Sequence, residues 1–238
     1  MKILAIESSG LTASIAVLEN DILLGEYTMT YKKTHSQTLL PMLEELAKMI
    51  ELDLKSIDAI AVSMGPGSFT GLRIGSATAK GLGLALDKPI ISVPTIDALA
   101  YNVWGTSEQV CPLMDARRQQ VYTGLYTFEQ GQLNSVIPQC AVDIQEIIEK
   151  INETGKSVIF LGDGVPVFAD YIAEHITVPY TYAPAICNRQ RAASVAVLGT
   201  YLYEKGIVEH ARDHKPDYLR LSQAERERNE KERDFKIC

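Results

Sequence analysis

The 238-residue chain contains no apolar run of the roughly 18 residues that a membrane-spanning helix requires. It also lacks paired cysteines. Cys111, Cys140, Cys187 and Cys238 are scattered with no C-x-x-C among them, which fits reduced thiols in a cytoplasmic protein. The opening MKILAIESS has no signal-peptide organisation and enters a strand pattern directly. Positive charge is in short supply: 23 Lys and Arg stand against 30 Asp and Glu, a formal net charge of −7. A protein that grips a nucleic-acid backbone unaided neutralises phosphates with clustered Lys and Arg, so this balance argues against that class and leaves room only for a local basic patch. Apolar material, by contrast, is plentiful. With 46% hydrophobic residues the chain can bury a substantial core, as one large domain or two small lobes.

The order of elements is repetitive. KILAIES, ASIAVLEN and DILLGEYTM read as three consecutive antiparallel strands broken by SGLT and Asn20-Asp21. Leu39, Leu40, Leu43, Leu46, Ala47 and Ile50 then recur at helical spacing, with Thr34 or Ser36 as cap and Pro41 fitting only near the start or at a kink. IDAIAVSM predicts a buried strand, the glycine-rich stretch after it a helix to about Leu86, PIISVP another strand, and Thr95 the start of a crossover helix over about 95–104. From Gln109 a second βββαβα series follows, ending in a long helix around RQRAASVAVLGTYLYEKG. Two such halves, each with a glycine-bearing turn after its fourth strand, predict an α/β protein with a degenerate internal duplication rather than a Rossmann fold. The terminal AERERNEKERDFKIC balances acids and bases and reads as a solvated helix or frayed tail.

The stretch SMGPGSFTGLRIGSATAKGLG, residues 63–83, lies where free N–H groups and a helix dipole receive phosphate in other proteins. It is nevertheless a weak nucleotide motif. Leu72 and Arg73 follow Gly71 where a Walker loop has Lys and Ser or Thr, and G-x-G-x-x-G is absent in the dinucleotide-binding order. Gly71, Gly75, Ala79 and Gly83 recur every four residues, so one narrow helix face has almost no side chains. Each helix-interior Gly costs roughly 1 kcal/mol relative to Ala, which close packing would offset. Whether the chain's own sheet and first helix or another molecule fills that face is open at this level.

Four segments carry a resemblance. ILAIESSGLTASIAVL, AIAVSMGPGSFTGLRIGSATAKGLGLAL, DARRQQVYTGLY and PDYLR stand in the order and approximate spacing of the bacterial TsaB (YeaZ) family, which the chain resembles over about residues 2–221. The resemblance implies an actin-like ASKHA fold: an N-terminal lobe over 1–100 joined by part of 190–222, a C-terminal lobe over 101–189, and a charged tail over 223–238. It also implies a role in making threonylcarbamoyladenosine in tRNA, beside the anticodon. In that pathway TsaC makes threonylcarbamoyl-adenylate from threonine, bicarbonate and ATP, TsaD transfers the threonylcarbamoyl group, and the ATPase TsaE supports the cycle. By resemblance, this chain is a non-catalytic subunit forming a heterodimer with TsaD, linked to TsaE and TsaC, and meeting tRNA only as substrate of the complex. It has no cofactor of its own, ATP or ADP is a candidate for the subunit interface, and a C2 homodimer competes when the partner is absent.

The partner surface is expected on the helices over 35–50 and 70–86, at His35, Leu39, Leu43, Phe69, Gly71, Leu72, Gly75, Ala79 and Gly83. On that expectation Gly75→Leu impairs pairing more than folding. Nucleotide or anion contact is expected at Glu7, Ser8, Ser9, Arg73 and Arg117, although a strand-end carboxylate bonded to the SSG turn and a local Asp115–Arg117 ion pair are the plainer readings. Catalytic equipment is missing where TsaD-like subunits carry it. VPTIDALAYN puts Thr95 and Leu99 at the positions of an H-x-x-x-H metal pair, and LGDGVPVF sets Asp163 inside the second glycine turn, where an anion repels phosphate. Ser8 and Ser9 have no matched His and Asp, H-E-x-x-H is absent, and His210 with His214 has pair spacing but no evident further ligand set, so no metal is expected. The competing class is an ATP-binding ASKHA phosphotransferase or hydrolase acting alone through Glu7 and the glycine turns.

Overall fold

The computed structural model describes residues 1–219. The charged tail predicted over 223–238 therefore lies outside the described residues. The first half runs β1 (Lys2–Glu7), β2 (Thr12–Glu19), β3 (Ile22–Thr30), α1 (His35–Met49), β4 (Ala59–Gly65), α2 (Phe69–Leu86) and β5 (Ile90–Pro94). After α3 (Thr95–Ala100) the second half repeats the order as β6 (Gln109–Asp115), β7 (Gln120–Glu129), β8 (Gln132–Asp143), α4 (Ile144–Thr154), β9 (Val158–Leu161), α5 (Val165–His175) and β10 (Tyr180–Tyr182), and α6 (Ala192–Glu204) closes the series. The two five-stranded sheets are ordered β3-β2-β1-β4-β5 and β8-β7-β6-β9-β10, the same path twice. In both, the first three strands are antiparallel and the last two join in parallel.

Burial explains the pattern. β1 and β4 are covered on both faces, so Ile3, Leu4, Ala5 and Ile6 form one continuous apolar run and Ala59 to Val62 another. Leu39, Met42, Leu43 and Leu46 of α1 close one face of the first sheet together with Ala79 of α2. Ala192, Val195 and Ala196 of α6 close the other face. In the second half, Ile144, Ile147, Ile148 and Ile151 of α4 pack with Phe168 and Ile172 of α5 on Leu113, Phe160 and Val158. Between the lobes, Ile96 and Leu99 of α3 meet Val110, Met114 and Tyr126, whose hydroxyl donates to Asp97 at 2.7 Å.

Two local expectations differ. The crossover helix is only six residues long, followed by a 3₁₀ turn over Tyr101–Val103. Asn102 pins that turn: its amide donates to the carbonyls of Cys187 and Arg189, and its Oδ1 accepts from Ser194. Thr34 stands at the N-cap of α1 without a side-chain bond, and Pro41 sits inside the helix on its exposed side. α6 likewise has no cap of its own. Ser14 accepts from Ala192 N–H at 3.0 Å and Glu26 from Ala193 N–H at 3.0 Å, while Glu26 also receives Arg191. Strands β2 and β3 thus cap a helix more than 160 residues away in sequence.

Candidate functional site

The end of β1 and the start of α2 are locked to each other. Ser68 N–H donates to Ser9 O at 2.6 Å, and the Ser8 hydroxyl donates to Gly71 O at 2.9 Å. Glu7 accepts from Ser9 N–H at 2.6 Å, from the Ser9 hydroxyl at 2.5 Å, and from Ser63. Burial pushes the Glu7 carboxyl above its ordinary pKa; the bonds from Ser63 and Ser9 pull the other way, as does nearby His35. His35 donates from Nε2 to Gly10 O at 2.9 Å. Glu7, Ser8 and Ser9 were expected to touch a nucleotide or anion. All three are buried, and their named polar groups bond within the turn, to Ser63 of β4 and to Gly71 of α2, an arrangement that includes the strand-end carboxylate bonded to the SSG turn.

The small-residue face of α2 is filled from within. A Cβ on Gly71 would strike Ser8 O, one on Gly75 would strike the Ser8 hydroxyl, and one on Gly83 would lie 2.8 Å from the Cβ of Ala211. Ala79 is in the core with Leu39, Leu43 and Leu72 also buried, and His35 is nearly so. Of the nine residues expected at the partner surface, Phe69 alone is partly exposed. The physical reason is the direction of the stripe: Gly71 and Gly75 face Ser8 at the end of β1, and Gly83 faces Ala211 and the start of β5, approaches that a residue with a Cβ would obstruct. A side chain at Gly75 meets the Ser8 hydroxyl before it reaches any partner, so Gly75→Leu is expected to disturb folding as well as pairing. The outward residues of α2 are Thr70, Arg73, Ala77, Gly81, Leu84 and Ala85.

The second glycine turn repeats this closure. Gly162 N–H donates to Asn188 O at 3.1 Å and Gly164 N–H to Leu113 O at 2.9 Å, and a Cβ on Gly162 would strike Leu113 O. Asp163 between them faces a cleft of about 520 Å³ lying between the lobes. Its walls include Ser9, Gly67 and Phe69 from one side, Asp115, Arg117 and Tyr122 from the other, and Asp217 and Tyr218 from the C-terminal segment. Burial raises the pKa of Asp163, while Arg189 lowers it. Arg117 is exposed and pairs with Asp115 at 3.2 Å, with its N–H donating to the same carboxylate at 2.8 Å. Arg73 lies over the Phe69 ring, 4.0 Å from its centroid, and donates from Nε to the Tyr218 hydroxyl at 3.2 Å. Of the five expected anion contacts, these two arginines are the exposed ones, and each has a local partner.

Thr95 and Leu99 are buried core residues of α3. The two C-terminal histidines part company. His214 is buried with Nδ1 shared between Glu209 at 2.8 Å and Ser92 at 2.9 Å, whereas His210 is exposed and its Nδ1 accepts from Arg212 N–H. Among the described residues no group of three or more His, Cys, Asp or Glu is placed to hold a metal, and no helix is long and apolar enough to cross a membrane. Sequence reasoning missed Ser63 and Tyr218. The first is hidden in an ordinary strand; the second lies in the quoted PDYLR but has no recognisable chemistry until Phe69 and Arg73 are beside it.

A duplicated β3-β2-β1-β4-β5 sheet path with helices on both faces and a cleft between the halves is the actin-like ASKHA architecture. The family model described as TsaD, tRNA N6-adenosine threonylcarbamoyltransferase, matches residues 23–228. The tRNA threonylcarbamoyladenosine biosynthesis protein TsaB of Bacillus subtilis is 36% identical over 225 residues, covering 94% of this chain and 96% of its own. The TsaB of Escherichia coli is 31% identical over 173 residues, covering 71% and 74%. The solved structure of YeaZ from Pseudomonas aeruginosa superposes with a TM-score of 0.78 at 26% identity, covering 91% of this chain and 99% of that one. The chain belongs to the TsaB (YeaZ) family.

Proposed function

We propose that this protein is a non-catalytic subunit that a TsaD-type transferase requires to move a threonylcarbamoyl group onto tRNA adenosine, forming threonylcarbamoyladenosine. The near full-length likeness to the Bacillus subtilis TsaB carries this reading. The site supports it: the first glycine turn is filled by Ser9 O and Asp217 O and the second by Leu113 O, Glu7 is enclosed, and Leu99 at the position of a metal ligand cannot coordinate. An accessory subunit organises another chain's site by binding its competent conformation more tightly, with no reacting group of its own. TsaE and TsaC complete the system, and any ATP or ADP belongs at the interface of the assembled complex.

The docking surface we assign is the outward side of α1 and α2. Leu40 and Leu84 are 53% and 54% exposed there, and Ala77 and Gly81 leave the α2 surface shallow enough for a helix to lie close. Leu84→Arg is expected to abolish co-elution with TsaD while leaving the melting temperature within a degree or two of wild type. Tm loss in place of lost pairing rejects the surface. The function itself is tested by reconstituting tRNA modification from purified TsaD, TsaC, TsaE and this chain, each omitted in turn. Activity is expected to require this chain and to vanish when the metal-binding histidines of TsaD are replaced. Transfer by this chain alone, or ATP turnover by it that Glu7→Gln removes, favours the competing phosphotransferase or hydrolase.

A further inference from the structure

One wall of the interlobe cleft comes from neither sheet but from the segment after α6. Its base is held firmly. Glu209 and Ile90 exchange two backbone bonds of 2.9 Å along the outer edge of β5. His214 is buried against Glu209 and Ser92, and Lys80 Nζ donates to the carbonyls of Arg212 at 2.8 Å and His214 at 3.0 Å. Asp217 N–H donates to Met64 O at 2.7 Å, and its carbonyl covers Gly65 so closely that a Cβ there would strike it. Beyond Asp217 the character changes. Tyr218 is 37% exposed and rests on Phe69 with ring centroids 4.7 Å apart, and its hydroxyl accepts the single bond from Arg73. A firm base followed by a lightly held aromatic side chain is the construction of an exchangeable cover.

We infer that Tyr218 is a built-in occupant of the platform made by Phe69 and Arg73 at the first turn of α2, and that an incoming protein partner replaces it. The inference rests on the partner reading above and adds where the first turn engages. Once uncovered, that turn offers one ring face beside a guanidinium, whose N–H donors have no acceptor among them. The matching partner element carries a carboxylate or a free carbonyl end next to an apolar side chain. In the free chain the closed form competes with docking, because apparent affinity falls by the fraction of molecules that are open.

The test compares wild type, Tyr218→Ala and Tyr218→Phe in full-length protein, by calorimetric titration with TsaD and by hydrogen exchange of residues 69–73 without it. Tyr218→Ala is expected to bind roughly threefold to tenfold more tightly, the effect of removing one exposed ring contact and its bond. Exchange over 69–73 should speed up, with melting unchanged, and Tyr218→Phe should fall between the two. Equal or weaker binding by a folded Tyr218→Ala overturns the cover. Should Tyr218→Ala misfold, Tyr218→Phe takes its place, and equal or weaker binding by that variant overturns the cover in the same way. Failure of wild type to bind TsaD sinks the partner reading instead; exchange then decides the cover alone, and unchanged protection at 69–73 rejects it.

Discussion

The two glycine turns use one backbone solution and cover it with different material. Gly65 ends the fourth strand of the first half with φ +126°, and Gly162 follows the fourth strand of the second half with φ +112°. Both angles belong to glycine, and in both a carbonyl oxygen occupies the space of a Cβ. Over Gly162 that carbonyl is Leu113 O, part of the adjoining β6; over Gly65 it is Asp217 O, part of the C-terminal segment. The first strands diverge in the same way. Each ends in an acid, but Glu7 is enclosed by serines whereas Asp115 stays at the cleft wall, paired with Arg117. Duplication preserved the sheet path and the positive-φ positions, while the contents of the cleft diverged half by half.

The sharpest way to break this comparison is to place a Cβ at both turns. Gly162→Ala is expected to cost about 3–5 kcal/mol, combining backbone strain with a collision against a strand that cannot move without opening the sheet. Gly65→Ala carries the same class of strain, yet its collider is tied to β4 by the one backbone bond from Asp217 N–H to Met64 O rather than by a sheet ladder, so it yields at the loss of that bond and about 2 kcal/mol is expected. Denaturant titration of both variants gives the order, and a Gly65→Ala loss as large as that of Gly162→Ala contradicts the difference in cover. Hydrogen exchange should also show the Asp217 amide released in Gly65→Ala alone.

A smaller effect sharpens the reading of α2. Gly75→Ala is expected to lose about 1–2 kcal/mol, since its Cβ collides with the Ser8 hydroxyl and displaces it from Gly71 O. In a Ser8→Ala background the collider is gone, so much of that loss should disappear in a double-mutant cycle. Strict additivity would mean that the small-residue face is not filled by Ser8.

Glu7→Gln should be the mildest change in mid-range pH, about 1 kcal/mol, because an amide still accepts one hydrogen bond from the serines. Its pH dependence is the informative part. Folding raises the Glu7 pKa, chiefly by burial, so the folded chain holds that proton more tightly than the unfolded chain. The resulting stability is fully present below the unfolded pKa and is lost as pH rises through the folded pKa. The wild-type advantage over Glu7→Gln should therefore be greatest in acid and shrink across that window. A gap that widens with rising pH reverses the sign and identifies a carboxylate stabilised by its donors more than it is penalised by burial.

Periodicity carried most of the architecture. Alternating and continuous apolar runs marked the strands, i, i+4 apolar spacing marked α1, and the recurrence of βββαβα with a glycine turn marked the duplication, because each of these signals lies within one element or its neighbours. The stripe of small residues was legible as a close-packing face, but its target was not. Ser8 and Gly75 lie far apart along the chain, and no local pattern encodes which backbone will occupy a bare helix face. Glu26 capping α6 and Tyr218 resting on Phe69 are of the same kind: a carboxylate in a strand and a tyrosine after a proline acquire their roles only when the chain closes. Elements follow from short-range sterics and hydrophobic period; the inward turn of α2, the filled glycine turns and the C-terminal cover follow from long-range packing, which the tertiary structure alone decides.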